Sequence, residues 1–140
     1  MSYIDDYLKT MDINIGLSDI KLGNFLPPIE STIGILCAED TVDWLKAQRL
    51  LIGWTFTLNE NFAILLDIDR LIVGQPYQGN LGRIKLARGT HIKCYIGKHE
   101  MYIGSMNLTE PTIEDVGVII PNKKQIAHMR KQFELCWKSL

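Results

Sequence analysis

THIKCYIGKHEMYIGSMNLT, residues 90–109, decides how the rest of the chain is read. Its opening, THIKCYI, alternates as a strand does, and residues two apart on a strand share a face. His91, Lys93 and Tyr95 therefore fall on one face, with Ile92, Cys94 and Ile96 on the other. The apolar face suits a core, while the first presents an imidazole beside an ammonium. A turn at Gly97-Lys98-His99 leads to a second short strand over 100–103, which runs into Gly104-Ser105-Met106-Asn107. Small and hydrogen-bonding residues there suit a tight bend that offers donors. Imidazole, ammonium, hydroxyl and amide gathered by one hairpin make a site for an anionic oxygen compound, with phosphate the leading candidate.

Upstream of the hairpin, residues 83–87 read as a strand whose Lys85, with Arg88 in the following turn, lines the approach to His91. Residues 75–82 (QPYQGNLG) are a surface loop; their glycine spacing fits neither a dinucleotide fingerprint nor a phosphate-binding loop. Residues 70–73 (RLIV) form a buried strand ended by Gly74-Gln75-Pro76. Before it, Thr57 or Asn59 caps a helix across 62–67, and 50–57 (LLIGWTFT) is a central strand rich in aromatic and β-branched residues. This strand-helix-strand order implies a right-handed parallel crossover. Further back, Asp40 or Thr41 caps a helix through Gln48 or Arg49, and 31–38 (STIGILCA) is a short buried strand. Residues 1–30, broken by Pro27-Pro28, read as an N-terminal extension packed on the domain.

Downstream, 116–120 (VGVII) is a continuous apolar strand stopped by Pro121-Asn122. From Lys123 onward, Ile126, Met129, Phe133, Trp137 and Leu140 recur at helical spacing. The lysines and arginines between them read as a solvated face.

The 140 residues fit a single domain able to bury its own core. With 46% hydrophobic and 22% charged residues and a net charge of −1, the composition argues against a sequence-blind, purely electrostatic DNA binder. Cys37, Cys94 and Cys136, odd in number and irregularly spaced, fit a reduced cytoplasmic protein better than a disulfide framework or a zinc site. No apolar run reaches transmembrane length, and the acidic N-terminus is unlike a signal peptide. No membrane partner is expected. Asp67 and Asp69 are two residues apart, a pattern commoner at helix ends than in magnesium sites; His99 and His128 lack matched neighbours and read as surface residues. No metal and no cofactor is called for.

His91-x-Lys93 followed by Gly104-Ser105-x-Asn107 resembles the HxK…GSxN signature of the phospholipase D superfamily. The wording HIKCYI…YIGSMNLT is most similar to the branch found in restriction endonucleases and helicase-associated nuclease domains. Its form is H-x-K-x-Y, a hairpin, G-S-x-N-L-T, and an acid before another strand; Glu114 matches that acid. Many members carry Asp five residues after the motif lysine. This chain has Lys98 there, a departure shared with much of the restriction-type branch. The resemblance covers residues 90–120 closely and 48–120 loosely.

The resemblance implies an α/β fold, a phospholipase D-like mixed β-sheet flanked by helices. It also implies a phosphodiester hydrolase that needs no metal and acts most naturally on DNA. His91 would attack phosphorus to give a phosphohistidine, with Lys93 holding a nonbridging oxygen. Asn107 and Ser105 would donate as charge builds, Gly104 would shape the substrate loop, and Glu114 would orient an imidazole. A second histidine must protonate the leaving oxygen. With one motif per chain it would come from a second copy, so a homodimer with a composite site follows. The rival reading is a catalytically inactive module of the same fold that binds nucleic acid or a protein partner. A third is a subunit whose second motif comes from a different chain.

Overall fold

Strands that are apolar on both faces must be covered on both faces, and that requirement sets the architecture. The computed structural model describes residues 35–140 apart from 78, 80, 110, 111 and 113. The extension expected at 1–30 and the first part of the strand expected at 31–38 lie outside the described residues. In chain order the elements are β1 (Ile35–Cys37), α1 (Ala38–Ala47), β2 (Leu51–Thr55), α2 (Glu60–Ala63) and β3 (Ile68–Val73). They continue with β4 (Ile84–Leu86), β5 (Cys94–Ile96), β6 (Met101–Gly104), β7 (Val116–Ile120) and α3 (Lys123–Ser139).

All seven strands join one mixed sheet in the order β1-β7-β6-β5-β2-β3-β4. β2, β3 and β4 are parallel neighbours, and every other pairing is antiparallel. This is the mixed sheet flanked by helices that the sequence predicts, with the parallel β2-α2-β3 unit in place. Side chains alternate between two cores. Ile52, Trp54, Ile72, Ile92, Cys94 and Ile96 pack under Ile126, Met129 and Phe133 of α3. Leu51, Leu71, Tyr95 and Tyr102 pack on the opposite face with Leu45 of α1 and Phe62 of α2. All five residues of β2 are buried, as a central strand requires.

Several element ends differ from expectation. α1 starts at Ala38 after Cys37, so Asp40 and Thr41 sit inside its first turn rather than capping it. Thr41 Oγ1 donates back to the Cys37 carbonyl at 2.9 Å. α2 is only four residues long, capped by Asn59, whose Oδ1 accepts from Phe62 N at 3.3 Å. Past Ala63 the chain tightens into turns, Leu65 N donating to the Phe62 carbonyl at 3.1 Å and Leu66 N to the Ala63 carbonyl at 3.0 Å, with Phe62, Ala63 and Leu66 facing the core. The strand expected from Thr90 is regular only over Cys94–Ile96; His91 to Lys93 form an extended lead-in, with Lys93 still accepting from Gly104 N at 3.3 Å.

α3 is capped by Asn122, whose Oδ1 accepts from Gln125 N at 3.0 Å. It is tied to β3 by Arg70, which chelates Glu134 with two guanidinium nitrogens and lies over the Phe133 and Trp137 rings at 5.2 and 5.4 Å. Among the described residues no helix is long and apolar enough to cross a membrane.

Candidate active site

Strand directions decide which residues meet. The carboxyl ends of β2, β3, β4 and β6 and the amino ends of β5 and β7 all lie along one edge of the sheet. Thr55, Gly74, Ala87, the lead-in to Cys94, Gly104 and Val116 therefore share one end of the molecule. Beside β2 the connectivity turns around: the chain moves outward to β3 and β4, then returns past β2 to β5. Crevices at the carboxyl ends of strands where connectivity reverses are where α/β sheets hold ligands. His91, Lys93, Ser105 and Asn107 all stand there.

Two buried tyrosines set the GSMN loop. Tyr95 and Tyr102 are opposite each other in the β5–β6 ladder and stack at 5.6 Å between ring centroids. The Tyr95 hydroxyl donates to the Met106 carbonyl at 2.6 Å. The Tyr102 hydroxyl accepts from Met106 N at 3.3 Å and lies 3.2 Å from the Val116 carbonyl, to which it donates. The N–H and the carbonyl of one loop residue, Met106, are thus both held by tyrosine hydroxyls, and burial pushes both phenols above the ordinary range. The loop then runs beside the end of β2, with Leu108 N donating to Thr55 Oγ1 at 3.0 Å and Asn59 N to the Leu108 carbonyl at 2.9 Å.

This grip orients Asn107. Its Oδ1 lies 3.0 Å from both Phe56 N and Thr57 N. Backbone N–H groups can only donate, so the atom facing them must be the amide oxygen. The two hydrogens of Nδ2 are therefore turned away from the latch. Thr55 Oγ1 is also 3.3 Å from Oδ1, but its single proton is better spent on the Thr57 carbonyl at 2.8 Å.

The His91 ring is exposed and lies against Phe56, with centroids 4.0 Å apart and planes at 36°. Lys93 Nζ is 6.0 Å from the same Phe56 ring. Half-burial lowers the Lys93 pKa, and the Asp115 carboxylate partly restores it. Phe56 is the hub of the cluster: its backbone meets Asn107 and its ring meets His91 and Lys93.

Other expected site residues are placed differently. Ser105 Oγ donates to Asp115 Oδ1 at 3.0 Å and accepts from Val116 N at 3.0 Å. Its one proton is committed to holding the loop, not free for an anion. Glu114 is exposed and has no hydrogen-bond partner among the described residues; the acid turned toward Ser105 and Lys93 is its neighbour Asp115. Asp115 is held there because Thr112 N also donates to its Oδ2 at 2.8 Å. Gly104 is a packing residue, since a Cβ there would fall 2.5 Å from the Val116 carbonyl and 2.6 Å from Gly117 Cα.

Lys85 does not line the approach to His91. Its Nζ donates to the Trp137 carbonyl at 2.9 Å and sits 4.5 Å from the Trp137 ring, because β4 is covered by the end of α3. Arg88 is exposed in the turn three residues before His91. Lys98, the departure from the resembled pattern, is exposed past the far end of β5. The four residue steps from Lys93 to Gly97 put roughly 13 Å between the two ends. The residues that sequence reading missed are Phe56, Thr55 and Asp115. Among the described residues no group of three His, Cys, Asp or Glu is arranged to hold a metal ion.

No known protein family matches the sequence, and no curated protein matches it. Among solved structures, 96% of this chain aligns with TrmBL2, an archaeal chromatin protein whose structure shows a novel mode of DNA binding, at 11% identity and a TM-score of 0.47. The alignment spans 66% of that protein's length. At that level the likeness bears on neither fold nor function.

Proposed function

We propose that this chain is a metal-independent phosphodiesterase of the phospholipase D type, acting on DNA, with His91 as nucleophile. The observation that carries the reading is the meeting of His91, Lys93 and the outward-turned Asn107 amide around Phe56 at the carboxyl end of β2. A phosphodiester carries a negative charge that repels hydroxide, so a site must offset it and supply a nucleophile and an acid. An imidazole nitrogen supplies a nucleophile near neutral pH. Its lone pair forms the N–P bond as the P–O bond to the leaving group breaks. Lys93 offsets charge on a nonbridging oxygen, and Asn107 Nδ2 donates to oxygens that become more negative in the transition state. Water then attacks phosphorus, giving its proton to the imidazole that protonated the leaving group, and the N–P bond breaks to free His91.

The leaving oxygen takes its proton from a second imidazole. With one motif in the chain, His91 of a second copy provides it across a twofold axis. Asp115 replaces Glu114 as the carboxylate of the site, sustaining the charge on Lys93 and fixing the loop through Ser105. The choice of DNA rests on the GSMNLT wording. A second reading, an anion-binding module without catalysis, is favoured by one feature: among the described residues no carboxylate or carbonyl accepts from His91.

The test is cleavage of single- and double-stranded DNA in excess EDTA, comparing the protein with His91→Ala and measuring the size of the active species. Cleavage by a dimer that survives chelation and vanishes in the variant is expected. Activity that requires magnesium and tolerates the substitution refutes the site. A fully active monomer refutes the composite arrangement. DNA or phosphate binding with no cleavage transfers the case to the binding module.

A further inference from the structure

We propose that Phe56, seated on Gly74, is the positioning residue of His91, taking the part that a hydrogen-bonded carboxylate plays for other nucleophilic histidines. The inference rests on the reading of His91 as nucleophile. Phe56 follows the last residue of β2, and its backbone is pinned at both ends. Its N–H donates to Asn107 Oδ1 at 3.0 Å, and its carbonyl accepts from Gly74 N and Gln75 N at 3.1 and 3.0 Å. The ring is wedged as firmly. On one side is His91, at 4.0 Å between centroids. On another is Gly74, where an added Cβ would come within 2.7 Å of Phe56 Cδ2.

Gly74 also governs the segment that carries His91. The same Cβ would fall 2.0 Å from the carbonyl oxygen of Thr90, the residue before His91. The Gly74 carbonyl accepts from Gly89 N at 2.8 Å, which fixes the turn leading into Thr90. One missing side chain at the end of β3 thus lets the His91 backbone and the Phe56 ring approach the same point. The imidazole is then held by ring contact and backbone placement, with no polar partner among the described residues. A ring face limits which side-chain rotamers the imidazole can adopt without blocking either nitrogen.

The experiment compares wild type, Phe56→Leu, Phe56→Tyr and Gly74→Ala with bis(p-nitrophenyl) phosphate in EDTA, together with NMR of the ¹³C-labelled histidine rings. His91 signals are assigned with His91→Gln. A nucleophile displaced by about 1 Å costs on the order of 10²-fold in rate. Phe56→Leu is therefore expected to lower kcat about 10²-fold with little change in KM. Phe56→Tyr, which keeps the ring, restores kcat to within a few-fold of wild type. In the NMR spectrum the ring-current displacement of His91 is present in wild type and Phe56→Tyr and lost in Phe56→Leu.

Gly74→Ala moves the His91 signals although Phe56 is intact. A Phe56→Leu protein with wild-type kcat, or with unmoved His91 signals, overturns the inference. Should Phe56→Leu unfold, Phe56→Met, flexible and close in volume, is held to the same criteria. The two readings separate cleanly. If no variant hydrolyses the diester but His91 is ordered by Phe56, the positioning stands and the phosphodiesterase reading falls. If all hydrolyse equally, the positioning falls and the phosphodiesterase reading stands.

Discussion

Asn107 carries two roles on opposite atoms of one amide, and substitution can separate them. Asn107→Ala removes the acceptor for Phe56 N and Thr57 N, both at 3.0 Å in a half-buried setting. A neutral hydrogen bond contributes about 0.5–1.5 kcal/mol net, and a stranded donor adds its desolvation cost, so the pair is worth about 2–3 kcal/mol. With a urea slope of about 1.5 kcal/mol/M, the midpoint falls by roughly 1.3–2 M. Asn107→Asp keeps an acceptor at Oδ1 and strengthens it with charge, so its midpoint stays at or above wild type. The same carboxylate removes the Nδ2 donors and puts a negative charge where the anion would sit. The assay is paired urea denaturation and inorganic phosphate titration of wild type, Asn107→Ala and Asn107→Asp. The expected pattern is one unstable variant, one stable variant, and phosphate binding in neither. Equal midpoints for the two variants refute the latch, and phosphate binding retained by Asn107→Asp refutes the outward placement of Nδ2.

Three further outcomes follow from charge and packing. Because burial lowers the Lys93 pKa and Asp115 opposes the shift, phosphate binding should fail with rising pH before an ordinary lysine value is reached, and Asp115→Asn should move that limb lower still. Phosphate titrations across alkaline pH would show it; a limb unmoved by Asp115→Asn would remove Asp115 from the site. The Glu134 pKa is lowered by its hydrogen bonds to Arg70, so this pair stabilises the fold above the unfolded carboxylate pKa and is lost as pH falls through the lowered folded value. Glu134→Gln should therefore flatten the acid limb of stability, read by thermal melts from pH 3 to 6, a window set by the usual Glu pKa of about 4.3. Gly53→Ala places a Cβ 2.1 Å from the Cys94 carbonyl in the centre of the sheet, and overpacking of that kind costs at least about 1–3 kcal/mol. A Gly53→Ala melting temperature equal to wild type would contradict the β2–β5 register.

Legibility in the sequence followed the kind of signal. Strand faces were readable because alternation carries them: Ile92, Cys94 and Ile96 share the core under α3, and the apolar run at 51–55 is buried throughout. The α3 periodicity was equally plain, since Ile126, Met129 and Phe133 all reach that core. His91, Lys93 and Asn107 could be found because their chemistry is unusual in combination.

Phe56 could not, because an aromatic at the end of LLIGWTFT looks like one more core residue until Gly74 and His91 are seen beside it. Glu114 and Asp115 are neighbours with the same chemistry. Only the Thr112 N–H and the Ser105 hydroxyl, both donating to Asp115, decide which one turns inward. Lys85 was misread for a similar reason, as strand position alone does not reveal that the end of α3 covers β4. Helix ends at Ala38 and Ala63 depended on local bonds and exposure that composition does not encode.

The tyrosine in H-x-K-x-Y touches the loop bearing the other half of the motif, and this limits how the site could be transplanted. Tyr95 reaches beneath the sheet edge to hold the Met106 carbonyl, and Thr55 receives Leu108 N from the same loop. A designer who copied His91, Lys93, Ser105 and Asn107 onto another hairpin would carry over the functional groups without the bolts that align them. The smallest portable unit is three strand ends together, residues 53–57, 91–95 and 102–108, with a glycine opposite the histidine's own backbone. A graft lacking Tyr95 or Gly74 would carry the same side chains on a loop and a strand end that nothing holds in register.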